Sequence, residues 1–273
     1  MQAPTRKGGE NEETESTMPH PPLHHGAMKL GRKTIKTDSR TLKLEKYMKQ
    51  LPPAPPKVDW TKGITEWGMM LNRDLHDCTI AGLGHAIQVW SANTTGEVTV
   101  PDDVVLSYYE KWGGYKAGDE STDKGGAELT VMQLWKKSEF AGHKLLAFAD
   151  PAVGNLEEIR QAILLFGGVY VGVNLPNTAS PQIVAGQPWD LVTPESADTV
   201  AGSWGGHGVF VPAYDAEGFT CITWGVLQKM TPAFWHKYVD EAHVMLSADW
   251  LEKQGSPAGF DLTQLKADLA KIH

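Results

Sequence analysis

The spacing of apolar positions changes character along the chain. Residues 78–90 (CTIAGLGHAIQVW) carry apolar or small side chains on every face, which predicts a largely buried helix. A second helix is predicted over 101–112, with Pro101 in its first turn and Asp102 and Asp103 at its positive end. A third follows Gly125-Gly126 over 128–139. A fourth, amphipathic one spans 156–165, opened by Asn155 as N-cap and stopped by Gly167-Gly168. From Val169 the period drops to two. Residues 169–173, 208–214, 219–224 and 242–246 read as strands. Helices first and strands later predict an α+β fold, a helical lobe followed by a sheet lobe, without internal repeats.

Residues 1–57 depart from this pattern. They are rich in Pro, Gly, Thr, Lys and Glu, and carry 11 Lys and Arg against 6 Asp and Glu, a charge of +5. The remaining residues carry 14 against 27, a charge of −13. A basic arm on an acidic body is the main charge asymmetry. Residues 41–48 predict a short amphipathic helix, and the Pro-rich 51–56 an extended linker. Four readings of the arm stand open: a disordered leader, a tether to a larger assembly such as a phage particle, a segment covering the active site, or a weak nucleic-acid contact. Nucleic acid is the least expected partner of a chain with net charge −8. The domain expectation is an extension over 1–57, a body over 58–250 (helical lobe about 60–150, sheet lobe about 151–250), and a helical extension over 251–273.

Composition narrows the setting. No apolar run approaches the ~20 residues that span a bilayer, and the polar N-terminus lacks a secretory signal. The two cysteines, Cys78 and Cys221, imply no disulfide framework. A cytoplasmic or virion-associated protein of phage or bacterial source is expected, with no membrane partner. Ten Trp, four of them directly before Gly, suit rings packed over turns or lining a cleft.

The candidate chemistry starts at Cys78, where a loop becomes a helix. The positive helix end there favours a thiolate, although Asp77 opposes it. His207 lies 129 positions downstream, between Gly206 and Gly208, at the mouth of a predicted strand. A Cys and a His alone are weak grounds, because buried Cys often serve as small hydrophobes. Three further matches strengthen the pair: Val58-Asp59-Trp60 about twenty residues before the Cys, Asn72 six before it, and Thr223-Trp224-Gly225 after the His strand.

In that order, with Gly125-Gly126 between, residues 58–250 resemble the papain-like cysteine peptidases. The resemblance implies a two-lobed α+β fold whose sheet lobe is an antiparallel sheet or barrel. It implies Cys78 as nucleophile and His207 as base of a peptide or amide hydrolase, without cofactor or metal. Asn72 would stand where the family has a Gln that holds the oxyanion, and Trp224 would shield the His. Trp189, in the loop before the His strand, is a candidate for lining a substrate pocket.

Three positions depart from the pattern: Asn72 replaces the Gln, Asp77 stands directly before the Cys and would raise its pKa, and the third lies in the strand after the His strand. Ile222 stands where the family has the Asn that orients the His, leaving Thr223, a backbone carbonyl or Asp215 as stand-ins. A catalytically inactive papain-fold module, tethered by its arm as a virion structural protein, is therefore the alternative reading. A cell-wall amidase, suggested by Asp77-Cys78-Thr79, is the third. His85 and Cys221 are expected as core residues, and His143, His236 and His243 show no metal-binding spacing.

Overall fold

A computed structural model describes residues 23, 24, 26, 28–39, 41–48, 53–254 and 260–272. Its centre is helix α1 (Cys78–Ala92), whose residues are buried almost throughout, as the all-round apolar pattern requires. Around it lie α2 (Asp102–Tyr108), α3 (Glu128–Lys137), α4 (Leu156–Phe166), α5 (Ala179–Val184), α6 (Pro232–Tyr238), α7 (Ala248–Gln254) and α8 (Leu262–Ile272). The strands are β1 (Val58–Asp59), β2 (Leu145–Ala149), β3 (Val169–Leu175), β4 (Gly205–Asp215), β5 (Gly218–Thr223), β6 (Val226–Met230) and β7 (Val239–Ser247). They form one antiparallel sheet in the order β2-β7-β3-β4-β5-β6, with β1 added against β4.

The elements that place the site follow their sequence signals. Asn155 caps α4, its Oδ1 accepting from the Glu158 N–H, and Gly167 ends the helix at φ 74°. Trp90, near the end of α1, donates its indole N–H to the Phe166 carbonyl and meets Phe210 of β4 edge-on. These contacts lock α1 against the sheet, so its N-terminus is held at a fixed place beside β4.

Three expectations change. The helix predicted over 101–112 is α-helical to Tyr108 and then widens into one π-helical turn, Tyr109–Gly113, closed by Gly114 at φ 79°. The helix expected over 41–48 is a single 3-10 turn, Leu44–Tyr47, with Leu44 and Tyr47 buried. Strand β2 lies within the stretch assigned to the helical lobe, yet pairs with β7 in the sheet. Its short apolar run, LLAFA, lacks the alternation that marked the other strands.

The arm lies on the body over its described residues. Leu44 donates to the Asp150 carbonyl and Asp150 to that of Leu42, while Met28 and Arg32 are buried. The Pro-rich residues 51 and 52 and residues 1–22 fall outside the described residues. Among those described, no helix is long and apolar enough to cross a membrane.

Candidate active site

The site forms where α1 meets β4. Asp77 stands at the N-cap of α1 without capping through its side chain, and Cys78 is the first helical residue. The Cys78 sulfur accepts the backbone N–H of Gly208, the residue that follows His207 on β4, at 3.4 Å. Nε2 of His207 lies 2.7 Å from Oγ1 of Thr223, the last residue of β5. Its Nδ1 has no hydrogen-bond partner among the described residues.

Trp224 covers the imidazole. Their rings stack at 4.2 Å with 10° between planes. The local sequence explains this. Thr223 pairs with Val226, so Trp224 and Gly225 form a two-residue hairpin turn with φ of 44° and 74°. Such turns need positive φ at both positions; Gly225 takes it freely, and Trp224 is held in the strained region by its ring contacts. Trp189 is fully buried behind Trp224, edge-on at 6.3 Å, and donates to the Ala179 carbonyl. It packs the wall behind the site rather than facing a pocket. Ile222 is buried in β5 opposite Phe210, and Asp215 pairs with Lys229 at 2.9 Å. Thr223 is thus the stand-in that reaches the imidazole.

The cleft is filled by the chain's own arm. Lys29 donates to the Asn72 carbonyl at 3.3 Å, and its own carbonyl accepts from Asn72 Nδ2 at 3.5 Å and Trp224 Nε1 at 3.2 Å. The Gly31 N–H donates to the Cys78 sulfur at 3.3 Å. Gly126 donates to Gly31, Arg32 to Gly206, and Lys33 to Gly126, at 3.0, 3.0 and 2.8 Å. Only glycine fits at 31, because a Cβ there would lie 1.7 Å from the His76 carbonyl oxygen.

Covering the site reverses the charge expectation at Cys78. Burial pushes its thiol up to about 12, against the lowering effect of the Gly208 and Gly31 N–H groups; the Asp77 and Glu128 charges add to the rise. Burial pushes His207 down to about 3, helped by Arg32 and His85. Thiol and imidazole are therefore both neutral near pH 7. Asp77, raised by its own burial despite a hydrogen bond from Asn72, accepts from that amide at 3.2 Å. Asn72 accordingly divides its amide between Asp77, the Leu75 carbonyl and the arm.

A second cluster adjoins the first, from residues that no motif singled out. Arg32 pairs with Asp240 at 2.8 Å and Glu241 at 3.1 Å, beside Glu128 and His243. His243 bonds Asp150 at 2.6 Å and Glu241 at 3.0 Å. Although burial lowers its pKa, these hydrogen bonds and charges prevail and raise it to about 9. Ligand atoms of Glu128, Glu241 and His243 lie within 4.8 Å of one another, but a metal ion needs neutral imidazole, and the protonated His243 and Arg32 already supply positive charge. The donor set does not fit a metal as it stands. His85 and Cys221 are core residues, His85 bonding the Gly68 carbonyl.

No protein-family model and no curated protein matches the chain. Among solved structures, xylellain, a cysteine protease from Xylella fastidiosa, superposes with a TM-score of 0.58 at 16% identity, over 81% of this chain and 96% of that one. A structure from work on the mite allergens Blo t 1 and Der p 1 matches with a TM-score of 0.48 at 8% identity, over 81% of this chain and 76% of that one. The chain has the α+β papain-like cysteine peptidase fold, with a helical and a sheet lobe.

Proposed function

We propose that the chain is a papain-type cysteine hydrolase of peptide or amide bonds whose cleft is held closed by residues 28–33. The observation that carries this reading is the seating of the arm: an extended peptide is hydrogen-bonded on both edges, to Gly126 and Gly206, with a backbone N–H on the Cys78 sulfur. A cleft that binds one main chain in this way is suited to bind another.

In the opened cleft, Cys78 attacks the substrate carbonyl carbon and its proton passes to Nδ1 of His207. In the tautomer whose Nε2–H donates to Thr223, Nδ1 carries the free lone pair. The negative oxygen of the tetrahedral intermediate is held by the Cys78 N–H and by Asn72 once the Lys29 carbonyl leaves its amide. Removing one such donor typically costs about 2.7–4 kcal/mol of barrier. His207 then protonates the leaving amine, and water hydrolyses the thioester that remains. The arm's contacts with the body favour the cleft-covering reading of residues 28–48 over the tether.

Gly31→Val in the full chain is the test, because the added side chain collides with the His76 carbonyl and ejects the arm from the sulfur. Hydrolysis of a mixed fluorogenic peptide pool is expected from Gly31→Val and not from Gly31→Val/Cys78→Ala. A folded Gly31→Val protein with an alkylatable Cys78 and no Cys78-dependent hydrolysis would sink the proposal.

A further inference from the structure

We infer that the acidic pocket beside Cys78, filled by Arg32 of the arm, is a specificity pocket that selects peptides carrying an arginine one residue away from the residue at the sulfur. That it serves a substrate rests on the catalytic reading above; that it reads a guanidinium stands on its own contacts.

The Arg32 side chain is 1% exposed. Nη2 donates to Asp240 Oδ1 at 2.8 Å and to Asn174 Oδ1 at 2.9 Å, and Nη1 donates to Glu241 Oε2 at 3.1 Å. Asn174 is itself held by a hydrogen bond to Asp240. Gly172 makes room for the group: a Cβ there would lie 2.8 Å from Nη1 and 2.9 Å from Cδ and Cζ. Behind them sits Glu128, fully buried, with neither carboxyl oxygen hydrogen-bonded among the described residues. All of these groups belong to the body, so the pocket stays when the arm leaves.

Its charge fixes the occupant. Without Arg32, Asp240, Glu241 and Asn174 lose their shared donor, while Glu128, whose pKa burial raises well above the carboxylate range, lies behind them with Glu241 and His243. Leaving the buried Glu241 carboxylate and the half-buried Asp240 without their guanidinium is unfavourable, so a neutral side chain is disfavoured and a cation admitted. Three acceptors spread over two Nη atoms match the planar fork of a guanidinium better than the point charge of an ammonium. The position follows from the arm: Gly31 lies at the sulfur and Arg32 is its neighbour in the chain.

Full-length Arg32→Ala leaves the pocket empty, and n-propylguanidinium, with its neutral isostere n-propylurea, probes it. At a tenfold excess over its Kd, propylguanidinium is expected to raise the Tm by about 3 °C, with no rise from propylurea. Adding Asp240→Asn and Glu241→Gln should abolish the difference. Arg32→Gln replaces the alanine variant if the latter does not fold. Equal shifts from the two probes would overturn the pocket. In Arg32→Ala/Gly31→Val, whose cleft is open, an Arg-Gly chloromethyl ketone lies in the opposite direction to the arm, so that its arginine precedes the glycine at the sulfur. It should label Cys78, the sulfur displacing chloride, at least about thirtyfold faster than its citrulline counterpart. Equal labelling by both would overturn the specificity. A guanidinium-selective Tm shift with no labelling by either ketone would uphold the pocket and remove the catalytic reading instead.

Discussion

Oγ1 of Thr223 lies 2.7 Å from Nε2 of His207, although the family pattern places the orienting group one residue earlier, at Ile222. Successive strand residues face opposite sides, so the shift by one moves the partner from a buried apolar position to the face that meets the imidazole. A threonine hydroxyl is shorter than an asparagine side chain, and it reaches because the tight Trp224-Gly225 turn brings the end of β5 close to His207. Thr223 is thus the positioning residue of the proposed pair.

Thr223→Val tests that role in the Gly31→Val background. The isosteric change removes a single neutral hydrogen bond, worth about 0.5–1.5 kcal/mol, so kcat should fall roughly 2- to 13-fold. KM should stay near its parent value, and Thr223→Ser should restore kcat. A KM change with kcat intact would place Thr223 in substrate binding instead.

The closed arm makes a second expectation for the thiol. With its pKa raised to about 12, Cys78 stays protonated across the neutral range, and it is also shielded from solvent. Iodoacetamide at pH 8 should leave the folded chain unmodified, label Cys78 in Gly31→Val, and label Cys78 and Cys221 in urea. Cys221, buried with its thiol pushed up by that burial, is the internal control. Rapid labelling of Cys78 in the unaltered chain would contradict the closed cleft.

The sequence carried the backbone of this site because its signals are local. An all-round apolar helix beginning at Cys78 and a period-two strand after His207 are each legible within a dozen residues. The arm's seating is not, since Gly31 and Arg32 gain their meaning from His76, Gly206, Asp240 and Glu241, far along the chain. The acidic cluster was equally hidden. Glu128 opens α3 and His243 lies mid-strand in β7, so either reads as an ordinary polar residue until the sheet brings them together. The lowered thiol pKa expected from the helix end failed for the same reason: the dipole was visible, the burial was not.

Trp224 joins the arm to the imidazole, and the two contacts separate by substitution. Trp224→Phe keeps a ring over His207 and loses the indole N–H that donates to the Lys29 carbonyl. The lost bond, about 0.5–1.5 kcal/mol, should loosen the arm and speed Cys78 alkylation about 2- to 13-fold, read by mass spectrometry under native conditions. An unchanged rate would mean that the arm is held by Arg32 and the backbone pairs alone.

His243 gives the fold a pH dependence of definite sign. It faces Asp150, Glu241 and Glu128, with Arg32 in the same cluster, and its folded pKa is raised to about 9 from an ordinary 6.5. A group raised in this way stabilises the fold fully below its unfolded pKa and loses that contribution as pH climbs through the folded value. Replacing it with Gln leaves buried carboxylates short of a cation, which should cost about 3–5 kcal/mol at pH 6. The gap in urea midpoint between the parent and His243→Gln should therefore be widest at pH 6 and shrink steadily to pH 9.5. A gap that grows with pH would mean that His243 is buried neutral, and that the acidic cluster is balanced by Arg32 without it.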